Sequence, residues 1–172
     1  MRIQNTLLII FALSGLALCF DSQYCLNEGL SNKDCGWYTN CLENAYSCGS
    51  DGYPVGYGFK YCSRFVEKYN NFSAPAKKWI DGTLSCLKTS LKDTLVNKSK
   101  YTCDNVKKIA FDSHPKCYVE NGFCELFTKA DIQEIYSTIL SLTSVYQFMD
   151  FLSLQSIKQV TVVAYECLQS KL

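Results

Sequence analysis

CLNEGLSNKDCGWYTNCLENAYSCGSDGYPVGYGFKYC, residues 25–62, places five cysteines among glycines, asparagines and tyrosines. Their spacing is wide and irregular. No Cys-x-x-Cys pair occurs, here or elsewhere in the chain, so the pattern does not match a zinc site. Downstream the cysteines thin out to Cys86, Cys103, Cys117, Cys124 and Cys167. Upstream lies Cys19, at the end of MRIQNTLLIIFALSGLALCF. That opening has a single positive residue, Arg2, an uncharged apolar run from Thr6 to Leu18, and small residues at Ala17 and Cys19. This is the grammar of a secretory signal peptide. The run is shorter than the roughly 20 apolar residues of a comfortable membrane span.

Cleavage after residue 19 changes the arithmetic of the chain. It removes Arg2 and balances the remaining bases against the 16 acids, and it leaves ten of the 11 cysteines. An even set in an exported chain reads as a disulfide framework, since the secretory pathway is oxidising. Spacing alone leaves on the order of a thousand possible pairings. Near-neutral charge argues against a nucleic-acid partner, which calls for a basic face to displace counterions from phosphates.

From Lys60 onward the texture becomes helical. Tyr61, Phe65, Tyr69 and Phe72 recur at helical spacing. Ser73 is placed to cap the next helix, with Pro75 in its first turn and Ile80, Leu84, Leu87 and Leu91 as its stripe. A shorter helix is expected from Cys103 to about Asp112, ended by His114-Pro115, because proline disfavours helix in the residue before it. Thr128 and Asp131 resemble a capping box that opens a helix carrying Ile132, Ile135, Ile139 and Leu142. A last helix carries Leu154, Ile157, Val160, Ala164 and Cys167. Its run Val160-Thr161-Val162-Val163 also fits a strand. The expected fold is all-α: residues 1–19 a signal peptide, and residues 20–172 one disulfide-rich helical domain with a Cys/Gly/Tyr-rich N-terminal region.

No catalytic constellation stands out. His114 is the only histidine and sits beside a proline in an expected turn. Asp112 and Ser113 are its neighbours in sequence and cannot fold back on it as a triad, and no Gly-x-Ser-x-Gly elbow occurs. Glu28, Glu43 and Asp51 are the carboxylates of the tight N-terminal region, without a spacing that pairs any two of them for hydrolysis. The string Gly52-Tyr53-Pro54-Val55-Gly56-Tyr57-Gly58 reads as an ordered loop with positive-φ glycines and tyrosines packed on disulfides, or as a surface loop offering two aromatic faces to a ligand. No enzyme activity, cofactor or metal is expected. Asn71-Phe72-Ser73 and Asn97-Lys98-Ser99 are N-glycan acceptors in a secreted chain, with Asn97 the better placed in its polar stretch.

The cysteine order resembles that of the stanniocalcins, a family of secreted glycoprotein hormones. The resemblance is carried by Cys25-Leu26-Asn27, Asp34-Cys35-Gly36, Cys41-Leu42-Glu43-Asn44, Cys48, Asp51-Gly52 and Cys62-Ser63-Arg64-Phe65. It continues through Ser85-Cys86-Leu87, Cys103, Cys117 and Cys124 to Glu166-Cys167. By position it implies the pairs Cys25–Cys41, Cys35–Cys62, Cys48–Cys103, Cys86–Cys117 and Cys124–Cys167. It further implies a secreted, extracellular regulator that binds another protein or receptor, in a family associated with calcium and phosphate balance and with inhibition of extracellular metalloproteinases. Three features depart from the family pattern. The sequence stops five residues after Cys167, so the family's further, chain-linking cysteine is missing and no family-type covalent dimer is expected. Asn44 is followed by Ala45-Tyr46 and is not an acceptor, unlike the family's sequon after Cys-Leu-Glu. The Gly/Tyr string is an insertion. Two other readings are kept beside this one: a saposin-like lipid-binding or membrane-active module, and a small secreted hydrolase.

Overall fold

The computed structural model describes residues 22–31, 33–146 and 154–169; the expected signal peptide, residues 1–19, lies outside them. The described residues are all-helical, with no strand among them. Short helices α1 (Ser22–Leu26) and α2 (Asn44–Tyr46) flank a wide π-helical stretch, Tyr38–Glu43. A second π-helical stretch, Tyr53–Phe59, runs into α3 (Lys60–Glu67). Then follow α4 (Ala74–Ser90), α5 (Lys92–Val96), α6 (Cys103–Glu120), α7 (Glu125–Thr128), α8 (Ile132–Val145) and α9 (Leu154–Gln169). The β-branched run 160–163 is therefore helical, held against α6 by tertiary packing that overrides a weak local preference. No described helix is long and apolar enough to cross a membrane.

Helix α4 forms as its sequence dictates. Ser73 caps it by accepting the Ala76 N–H at 3.4 Å, and Ile80, Leu84, Leu87 and Leu91 are all buried. Helix α8 is opened by Asp131, whose Oδ1 accepts the Glu134 N–H at 2.8 Å. Thr128 closes α7 instead of capping α8.

The expected break at His114-Pro115 does not occur. Both residues are buried inside α6, which continues to Glu120. A proline within a helix has no N–H for the carbonyl four residues back, here that of Phe111. Gln159 of α9 supplies the missing donor, its Nε2 meeting the Phe111 carbonyl at 3.2 Å. The sequence shows the proline but not the long-range amide that compensates it.

The Gly/Tyr string departs from both readings given above. It is helical, and its glycines do not use positive φ; among the described glycines only Gly49 and Gly122 do. Its tyrosines pack on aromatic rings. Tyr53 stacks on Tyr57 at 5.7 Å between centroids and meets Phe111 edge-on at 5.5 Å. Gly58 lets the Tyr38 ring lie directly on the string's backbone, because a Cβ there would lie 2.4 Å from that ring.

Five disulfides tie the elements together: Cys25–Cys41, Cys35–Cys62, Cys48–Cys103, Cys86–Cys117 and Cys124–Cys167. The fourth staples α4 to α6. The fifth fixes the residue before α7 to the last turns of α9.

Candidate interaction surface and apolar cavity

Helix α8 carries apolar residues on its outer face as well as its inner one. Its buried positions are Thr138, Ser141 and Val145, two of them hydroxyl-bearing. Ser141 Oγ donates to the Asn71 carbonyl at 3.0 Å, which satisfies one of these groups. The opposite face presents Ile132 (78% exposed), Tyr136 (61%), Ile139 (46%) and Leu140 (51%) to solvent. Positions i, i+4, i+7 and i+8 lie along one side of a helix, so these four form a continuous apolar stripe. Glu134 is the one charged residue of α8. Helix α9 adds exposed Val160, Tyr165 and Leu168. Single exposed apolar residues are ordinary, whereas a continuous stripe is the pattern that contact surfaces show.

Between α6, α8 and α9 lies a cavity of about 330 Å³, closed on one side by the Cys124–Cys167 bridge. Trp79, Tyr118, Phe123, Phe127, Leu142 and Val163 line it.

Residues considered from the sequence have other uses. His114 is 2% exposed and packed among Tyr57, Phe111 and Tyr118. Its Nδ1–H donates to the Ala110 carbonyl at 2.6 Å, and burial pushes its pKa down to about 4, so it is a neutral core residue at physiological pH. Glu43 accepts the backbone N–H groups of Cys48 and Gly49, at 3.2 and 2.8 Å, and so holds the sharp turn in which Ser47 and Gly49 take positive φ. Among the described residues no cluster of His, Cys, Asp and Glu is arranged to hold a metal ion. Asn71 is exposed; Asn97 is half-buried and its Nδ2 donates to Asp93 at 2.7 Å.

Lys88 was invisible to sequence reasoning. It lies on α4, is fully buried, and its Nζ donates to the carbonyls of Gly29 (3.1 Å), Ser31 and Asp34 (3.0 Å). Desolvation pulls its pKa down to about 8, with Asp34 opposing the shift. The ammonium thus pins the backbone at Gly29, Ser31 and Asp34 to α4. Only its position beside the buried Leu87 hinted at burial.

The decisive comparison covers nearly the whole chain. A profile of the stanniocalcin family matches residues 16–167. The chain belongs to the stanniocalcin family. No individual curated protein and no solved structure matches it. The stanniocalcin match spans all ten cysteines of the five disulfides and both features just described, the α8 stripe and the cavity beneath α9.

Proposed function

We propose that this stanniocalcin-family protein is a secreted regulator that acts by binding another extracellular protein, and that the outer stripe of α8 is the docking face. The observation that carries this reading is the exposed stripe: Ile132, Tyr136, Ile139 and Leu140 face water, while the core-facing side holds Thr138 and Ser141 beside Val145. Leaving such a face exposed lowers solubility without adding stability, which is the usual mark of a surface kept for a partner. The face is almost uncharged, so it suits a partner presenting an apolar patch, with little electrostatic steering. Secretion is supported by the leader-like residues 1–19 and by the five disulfides, which persist in oxidising compartments. Glycans at Asn71 and Asn97 belong to the same reading. Involvement in calcium and phosphate balance or in restraint of extracellular proteases follows from which protein is bound, with no catalysis by this chain.

A photo-crosslinking residue at position 136 tests the face. Purified mature protein is applied to living cells and irradiated, with a second version labelled at exposed Lys108 as control. The expected result is a discrete adduct from position 136 alone, lost with Ile139→Glu. An adduct with a second copy of the chain, or equal labelling from both positions, overturns the proposal. Co-sedimentation with anionic vesicles that depends on Ile139 would favour the membrane-active reading instead. Mass spectrometry of secreted material is expected to show an N-terminus near residue 20 and no free thiol.

A further inference from the structure

Asn121-Gly122 is the only Asn-Gly pair in the chain. In an open chain this pair is chemically unstable. Glycine has no side chain to shield its backbone nitrogen, which can attack the amide carbon of the asparagine before it. Here the pair ends α6. Gly122 has φ 98° and its N–H donates to the Val119 carbonyl at 3.1 Å, while the Phe123 N–H donates to that of Tyr118 at 3.1 Å. These are the two bonds of a Schellman turn, and its usual apolar contact is present between the Tyr118 and Phe123 rings, 6.0 Å apart.

Each reacting group is held. The Gly122 nitrogen is engaged by Val119. Asn121 Nδ2 donates to the Cys117 carbonyl at 2.7 Å, and that carbonyl also takes the Thr83 hydroxyl of α4 at 3.5 Å. Gly82 of α4 closes the other side: a Cβ there would lie 2.0 Å from Asn121 Oδ1 and 2.7 Å from its Cγ. Asn121 ψ is 8°, which splays the Gly122 nitrogen and the Asn121 Cβ apart about the Cα–C bond, whereas ring closure needs them on one side. Both residues line a polar cleft and are half-buried, so water reaches them. What the fold withholds is the rotation.

We infer that Asn121-Gly122 is a latent self-modification site, silent while the turn after α6 is closed and converted irreversibly when it opens. The Gly122 nitrogen gives up its proton and bonds to Asn121 Cγ; the Cγ–Nδ2 bond breaks and ammonia leaves, giving a succinimide. Water then opens the ring at either carbonyl, to aspartate or isoaspartate. The step is one-way because the product cannot rebuild the clasp. A carboxylate has no hydrogen for the Cys117 carbonyl, and it meets the negative end of the α6 dipole, with a Glu125 oxygen 3.5 Å from where a Cβ on Gly122 would lie. The site does not depend on the α8 stripe.

The test follows aspartate and isoaspartate at position 121 by peptide mapping. Mature protein with its five disulfides intact is incubated beside the reduced, alkylated chain in urea, at one pH and temperature. Conversion in the folded protein is expected to be at least tenfold slower, because it waits on local opening. In Gly82→Ala the new Cβ meets the tip of a side chain, so the variant is expected to form all five disulfides, to swing the Asn121 amide off Cys117, and to convert at least threefold faster than the unsubstituted protein. A second measurement needs no variant: as urea is added below the unfolding transition, conversion should rise in parallel with hydrogen exchange at the Gly122 amide. Asn121→Asp, as the product, should show faster exchange at Gly122 and Phe123. Equal conversion in folded and unfolded chains, no acceleration in a folded Gly82→Ala variant, conversion that does not follow Gly122 exchange, or full protection of Gly122 and Phe123 in Asn121→Asp overturns the inference.

Discussion

Trp37 and Tyr136 show how differently the two ends of the molecule use their aromatic residues. Around Trp37 everything apolar is spent on the protein itself: Trp37, Cys41 and Leu42 are wholly inaccessible and Tyr38 nearly so, under the Cys25–Cys41 and Cys35–Cys62 bridges. Around Tyr136 much apolar area is left over, with Ile132 and Ile139 in water, hydroxyls beside Val145 in the core and a cavity beneath the neighbouring helix. Both regions belong to one disulfide-bonded chain. The first end converts apolar area into stability. The second holds its backbone with one disulfide and a few polar clasps, which leaves apolar area free for something else.

Substitutions should divide along this line. Trp37→Ala is expected to have the largest effect, about 5 kcal/mol in chemical denaturation, because it opens a cavity and strands the Cys25 carbonyl. Removing the fifth disulfide with Cys124→Ser and Cys167→Ser should cost about 4 kcal/mol by the loop-closure argument for a separation of 43 residues. Hydrogen exchange localises that loss: amides of 154–169 should exchange faster while those around Trp37 keep their protection. Equal acceleration at both ends would mean that the two regions are not separable.

Acidification strikes the junction between them. His114 has a folded pKa near 4 against an ordinary value near 6.5. Between those values the unfolded chain takes up a proton that the folded chain refuses, so stability falls as pH drops from 6.5 to 4, by about 3 kcal/mol. Denaturation midpoints across this range should slope in the native protein and flatten in His114→Gln.

A smaller effect tests the clasp between α6 and α9. Gln159→Leu should cost about 1–2 kcal/mol, because the Phe111 carbonyl then has no donor. In a Pro115→Ala background residue 115 regains an N–H for that carbonyl, and Gln159→Leu should cost much less. A double-mutant cycle measures the difference, and additivity would show that the proline is not what Gln159 serves.

What the sequence revealed follows the same division. Stripes such as Ile80, Leu84, Leu87 and Leu91 were legible because local periodicity and burial agree there. The end of α6 was misplaced because proline's penalty is local while its remedy, Gln159, comes from 44 positions further along the chain. The Gly/Tyr string was misjudged because a π-helical path brings Tyr53 and Tyr57 onto Phe111, and nothing in the glycine spacing signals it. Lys88 stayed hidden because its partners are backbone carbonyls, which carry no residue signature. The α8 face was hidden for the opposite reason: Ile132, Ile135, Ile139 and Leu142 invite an inward reading, and only Leu142 and Ile135 are even partly covered. The cavity has no sequence signal beyond the aromatic content around residues 118–127.

The smallest effect is the sharpest test of the comparison. Ile132→Lys, Tyr136→Lys and Ile139→Lys each replace a large apolar side chain that the folded chain already leaves to water, so each should change stability by no more than about 0.5 kcal/mol. On the other face Ser141→Leu substitutes an apolar residue for a buried hydroxyl, the exchange that would ordinarily favour a core. Here it removes the bond to the Asn71 carbonyl and adds volume to a closed position, so it should cost about 1–3 kcal/mol. The usual rule for an amphipathic helix predicts the reverse order. If lysine on the outer stripe costs more than leucine at position 141, α8 packs by the face that carries the isoleucines, and there is no unspent surface for a partner to use.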